Sequence, residues 1–108
     1  MSYIIVVIRN EQGVSMSSVD GELIIVLLTS DGQLITQQPV RVTVADAIFA
    51  NLPPGRYTVI ARHPSLNPTE ARQEIVLSDN VMLGVKYIYL EAEQQLLRTE
   101  VIERSLDA

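Results

Sequence analysis

Phe49-Ala50-Asn51-Leu52-Pro53-Pro54-Gly55-Arg56-Tyr57-Thr58-Val59-Ile60-Ala61 compresses the end of one strand, a tight crossing and the start of the next into a single stretch. Phe49 points inward and closes the first strand. The double proline fixes φ and holds the chain extended, and Gly55 can take backbone angles that other residues avoid. Tyr57 then re-enters the core, where its ring packs while its hydroxyl reaches the rim. Beyond it, Tyr57, Val59 and Ala61 alternate with Arg56, Thr58 and Arg62, the period of two that gives a strand one apolar and one polar face.

Working outward, the same kind of segment recurs between turn signals at short intervals, as in a sandwich or barrel rather than βαβ units. Tyr3 to Arg9 ends at Asn10-Glu11-Gln12-Gly13, and Glu22 to Thr29 ends at Ser30-Asp31-Gly32, a turn that tolerates positive φ and leads into Gln33 to Thr36. Val40, Val42 and Val44 alternate with Arg41, Thr43 and Ala45, and Ala47 to Leu52 is short. On the far side, Arg56 to Arg62 ends at His63-Pro64, because proline cannot donate to a ladder. Arg72 to Leu77 stops at Ser78-Asp79-Asn80, and Met82 to Leu90 closes the set. The expectation is an all-β, seven-stranded antiparallel sandwich over residues 1–91. Residues 92–108 form a tail rich in Glu, Gln, Arg and Leu that reads as a short helix or an extended arm.

The stretch Phe49, Asn51, Leu52, Pro53, Pro54, Gly55, Tyr57 resembles the most recognisable part of the carboxypeptidase regulatory-like and collagen-adhesin B-type domains. The resemblance, which extends over roughly residues 3 to 90, implies a prealbumin-like sandwich; another immunoglobulin-like sandwich is the rival. Isopeptide-forming members of the adhesin group join a lysine near the first strand to an asparagine near the last. Here the only lysine is Lys86, in the last of the expected strands, so that cross-link is not expected. Prealbumin-fold hydroxyisourate hydrolases use several histidines and a Tyr-Arg-Gly-Ser terminus; this chain has one histidine, His63, and ends Ser105-Leu106-Asp107-Ala108.

Other chemistry finds little purchase. The 108 residues carry 8 basic and 13 acidic side chains, a formal charge of −5, with the basic ones scattered singly. Neither nucleic acid nor an anionic membrane is therefore an expected partner. With no cysteine there is no disulfide or thiolate site, which fits a reducing compartment. Met1-Ser2-Tyr3 lacks a basic leader, so a cytoplasmic location is expected. His63 reads as a solvated loop residue. Asp20, Glu22, Asp31 and Asp79 read as turn chemistry rather than a calcium loop, and Ser15, Ser17 and Ser18 as loop solvation. No catalytic residue, cofactor or metal is expected.

The informative excess lies elsewhere. Tyr3 to Ile8 and Leu23 to Leu28 are apolar on both faces, although an antiparallel sheet in a sandwich normally wets one. Three coverings suggest themselves: the chain's own tail, a second copy, or simply a central place in the sheet beneath long loops. The first two nominate Ile4, Val6, Ile25, Leu27, Leu96, Leu97, Val101 and Ile102 as interface residues and point to a homo-oligomer, most simply a dimer. The functional expectation is a non-catalytic protein-interaction or assembly module, with a carbohydrate-binding module of the starch-binding-like type as the alternative.

Overall fold

The computed structural model describes residues 1–16, 22–41 and 46–106; Ser17, Ser18, Asp20 and the alternation at Val42 and Val44 lie outside them. The strands are β1 (Ser2–Asn10), β2 (Glu22–Thr29), β3 (Leu34–Arg41), β4 (Asp46–Leu52), β5 (Gly55–Arg62), β6 (Glu70–Leu77), β7 (Val81–Leu90) and β8 (Gln95–Ser105). They form two four-stranded sheets, ordered β4-β1-β7-β8 and β3-β2-β5-β6, which we call sheets A and B. No helix occurs among the described residues, and so none that is long and apolar enough to cross a membrane.

Two expectations are corrected. The strand count is eight, because the tail takes the extended rather than the helical alternative and pairs antiparallel with β7 along the whole of β8, from Gln95 opposite Leu90 to Ser105 opposite Val81. Helix propensity differs among ordinary residues by only a few tenths of a kcal/mol each, and a full ladder of backbone hydrogen bonds outweighs it. Nor is the sandwich wholly antiparallel: β1 and β7 run parallel, Tyr3 beside Met82 through Asn10 beside Tyr89.

Both ends of that parallel pair are fastened by polar side chains. Ser2 is buried, accepts a hydrogen bond from the Val81 N–H at 3.0 Å and donates to the Ser78 carbonyl at 2.7 Å. At the other end the buried Asn10 side chain accepts from the N–H groups of Gln12 and Val14, at 2.9 and 3.1 Å. Its amide donates to Glu91 at 2.9 Å. The buried polar atoms are thereby satisfied, which is what makes their burial affordable.

Turns follow the sequence signals. Gly32 has φ 89° and its N–H donates to the Thr29 carbonyl at 3.0 Å, so the expected Asp31-Gly32 turn is a three-residue hairpin loop with glycine in the left-handed position. In the Phe49–Ala61 stretch Gly55, at φ 156°, takes a backbone angle that other residues rarely adopt, as expected, and Asn51, at φ 58°, is left-handed just before the prolines. The Tyr57 hydroxyl donates back to the Pro53 carbonyl at 2.5 Å and ties the crossing to the strand that follows.

Inward-facing residues of both sheets form one core that includes Ile4, Val6, Ile8, Leu23, Ile25 and Leu27, all with no accessible surface. Each aliphatic side chain of this kind contributes about 1.5–3 kcal/mol on burial. Tyr87 and Tyr89 reach inward from β7. The Tyr87 hydroxyl crosses to the opposite sheet and donates to the Val59 carbonyl at 3.0 Å. That of Tyr89 is buried with no hydrogen-bond partner among the described residues. Burial pushes the Tyr89 phenol up to about 12 and the Tyr87 phenol higher still.

The two hydroxyls should behave oppositely on removal. Tyr87→Phe is expected to cost about 1–2 kcal/mol in denaturant unfolding, whereas Tyr89→Phe removes an unsatisfied group and should leave stability unchanged or raised by up to about 1–3 kcal/mol. Equal losses in both would contradict the assignment. Because both phenols have raised folded pKa values, their contribution is intact below the unfolded value near 10 and is lost as pH rises further. Each should steepen the fall in stability above pH 10 by about 1.4 kcal/mol per pH unit, and Tyr89→Phe should remove one share between pH 10 and about 12.

Candidate interaction surface

Strand alternation sorts the nominated interface residues into two groups. Ile4, Val6, Ile25 and Leu27 face the opposite sheet and are fully buried within the chain, so their nomination as interface residues is corrected: they are core. The reason is topological, since β1 lies between β4 and β7, and β2 between β3 and β5. Central strands carry their inner apolar face into the core, leaving Tyr3, Ile5 and Val7 half-buried on the outside of sheet A.

The tail residues behave differently. Leu96 is partly buried against the core. Leu97, Val101 and Ile102 are 44 %, 44 % and 49 % exposed. Leu97 falls where the pairing of β7 and β8 slips, between Tyr89 opposite Leu96 and Ile88 opposite Arg98. Among the described residues no strand continues sheet A beyond β8. The start of β8 is nevertheless covered: the Leu96 N–H donates to the Asn67 carbonyl at 2.8 Å, and the Asn67 amide donates to Gln95 at 2.6 Å.

Register places three rows across the outer face of sheet A. The middle row is Ile48, Ile5, Gly84, Ile102, one residue from each strand. On one side run Asp46, Val7, Lys86 and Glu100; on the other, Tyr3, Met82 and Arg104. Ile48, at one end of that row, is 56 % exposed, and Ile5 and Ile102 flank the gap left by the missing side chain of Gly84. Sequence reading overlooked Ile48. Its signal was present, because it sits between Ala47 and Phe49 and must face away from an inward Phe49.

Sheet B covers the middle of its outer face internally, while Val76 on its β6 edge stays 62 % exposed. Val26 and Ile60 are adjacent across β2 and β5 and only 3 % and 2 % exposed, with Gln37 and Arg72 opposite them on the edge strands. Long polar side chains of this kind can lay their stems over apolar neighbours. A depression of about 420 Å³ lies at one end of β5 and β6, lined by residues including Arg56, Thr58, Glu74 and Val76.

The remaining candidates take structural roles. His63, read from the sequence as solvated, is 3 % exposed: its Nδ1 accepts from the Ser65 N–H at 3.0 Å, and its backbone N–H donates to the Thr69 carbonyl at 2.9 Å. It organises the loop that covers the start of β8. Asp31 accepts from the Thr29 hydroxyl, which lowers its pKa, and Asp79 pairs with the N-terminal ammonium at 3.3 Å. Among the described residues no group of three or more His, Cys, Asp or Glu could hold a metal ion.

No family model, curated protein or solved structure matches this chain. The surface itself is what remains to be interpreted.

Gly84 gives a direct check of the row geometry. A Cβ built there would meet the Ile102 carbonyl oxygen at 3.7 Å, an ordinary contact. Gly84→Ala should therefore be accommodated and raise stability by about 0.5–1 kcal/mol, since glycine weakens a strand interior. A loss of stability on thermal unfolding would contradict the register.

Proposed function

We propose that this chain is a non-catalytic interaction or assembly module, a prealbumin-like sandwich that associates with itself as a homodimer through sheet A. The observation that carries the reading is the placement of exposed apolar surface. Exposed apolar side chains also occur singly or in pairs elsewhere, at Leu34, Ile35 and Val76 of sheet B among others, but four of them, Leu97, Val101, Ile102 and Leu106, fall within one ten-residue segment, and Ile48 lies on the outer face of the same sheet. Isolated exposed apolar residues need no explanation, but a concentration on one edge and its adjoining face is the signature of a surface meant to be covered.

The division into four plus four strands supports a prealbumin-like fold over an immunoglobulin-like one, whose constant type divides seven strands as four plus three. The Tyr57 clamp on Pro53 gives the resembled stretch a physical role. The carbohydrate-binding alternative has weaker support, since it calls for exposed aromatic platforms. Phe49, Tyr57, Tyr87 and Tyr89 are buried and Tyr3 is half-buried, which accounts for all five aromatic residues.

Light scattering on the full chain should give twice the 12.0 kDa of one copy. Ile102→Lys, at an exposed position on the β8 edge, should shift the mass toward one copy without unfolding the protein. A full chain that scatters as a single copy at every concentration tested would overturn the reading.

A further inference from the structure

Among the described residues sheet A ends in an open β8, and the geometry points to the occupant of that edge: β8 of a second copy, antiparallel about a two-fold axis at Ile102. This inference rests on the self-association proposed above and specifies its contact. The other edges are less available. β3 carries Pro39, and its Gln38 side chain donates to the Ile48 carbonyl of β4 at 2.6 Å, tying those two edges together. The edge strand β6 places Arg72 and Glu74 on its outer face and joins Arg62 of β5 through Glu70 at 2.8 Å. β8 is the longest strand and has neither proline nor lysine.

Its backbone phase is set at both ends. The Leu106 N–H donates to the Asn80 carbonyl at 3.0 Å, beside the start of β7, and even-numbered residues from Arg98 on therefore turn their backbone groups toward β7. Thr99, Val101 and Glu103, in the alternate phase, present theirs at the open edge. A two-fold axis perpendicular to the sheet keeps each side chain on its own face and so requires a residue at the centre.

Charge then selects the register. Centring on Glu100 or on Glu103 sets a carboxylate against its own copy, and centring on Val101 sets Arg98 against Arg104 of the partner subunit. Centring on Thr99 runs within two residues into the slip at Leu97 and the Asn67 cover. Centring on Ile102 pairs Ile102 with itself. It also sets Glu100 opposite Arg104 of the partner subunit, twice by symmetry. Within one chain Glu100 already accepts from Arg98 at 2.8 Å, so each carboxylate would lie between two guanidinium groups. The apolar row Ile48, Ile5, Gly84, Ile102 would continue unbroken into the second copy.

The chain has no cysteine, which makes the register directly readable. Opposed residues in an antiparallel pair have Cα atoms about 4.5–5.5 Å apart, within disulfide range, whereas a displacement of four residues along a strand is over 10 Å. Under mild oxidation Ile102→Cys should form a covalent dimer. Glu100→Cys and Arg104→Cys should form none alone but should cross-link when mixed. Glu100→Arg should weaken the dimer on the order of tenfold by sedimentation, and adding Arg104→Glu should restore it. A dimer by light scattering in which Ile102→Cys stays uncross-linked would overturn this contact while leaving self-association standing; a full chain that is monomeric throughout would overturn both.

Discussion

The parallel pairing of β1 with β7 is the constraint on which the rest of the molecule depends. It joins residues nearly eighty positions apart and makes β1 and β7 the two central strands of sheet A, with β4 and β8 on either side of them. Parallel ladders are somewhat weaker per residue than antiparallel ones, so a long-range parallel pair needs reinforcement. Ser2 and Asn10 supply it: one seals the start of β1 to the turn before β7, the other links the loop after β1 to Glu91 after β7. Both are buried polar residues, and removal of Ser2 would leave the buried Val81 N–H without its partner.

Much of the architecture was legible because turn chemistry is local. Asp31-Gly32, Pro53-Pro54-Gly55 and Ser78-Asp79-Asn80 each end a strand where the residue types demand it, and the alternation of Arg56 to Arg62 follows the burial found. What was not legible depends on partners far away in sequence. Glu, Gln, Arg and Leu after Leu90 favour a helix by weak local preference, yet Thr99, Val101 and Ile102 are β-branched, and the open side of β7 decides the outcome. His63 was misjudged for a related reason: its burial comes from a loop folding over it, and nothing in His63-Pro64 alone announces that.

The candidate surface was half legible. Excess apolar character in the first two strands is plain in the sequence, but composition cannot say which alternate residues face in, and both strands prove central in their sheets. Once β1 and β2 are central, the phase beginning at Ile4 and Leu23 becomes core, and the excess is displaced onto the other phase and the sheet's edge. Sheet B absorbs its share, burying Val26 and Ile60 on its outer face. Sheet A does not, because Gly84 leaves the middle of its outer row open between Ile5 and Ile102.

An edge strand left open is a hazard unless something limits what pairs with it, and the features that protect β3 also show what β8 lacks. Proline and a side-chain tie suffice at β3, where no pairing is wanted. At β8 the alternation of Arg98, Glu100, Ile102 and Arg104 does not repel an incoming strand; it discriminates among registers, since most placements oppose like charges, and of the two that do not, the one centred on Thr99 runs into the slip at Leu97 and the Asn67 cover. Pairing about a two-fold axis consumes both β8 edges at once and leaves none for a third copy. In the pairing proposed above, charge pattern and symmetry together would turn a potential aggregation site into a closed contact.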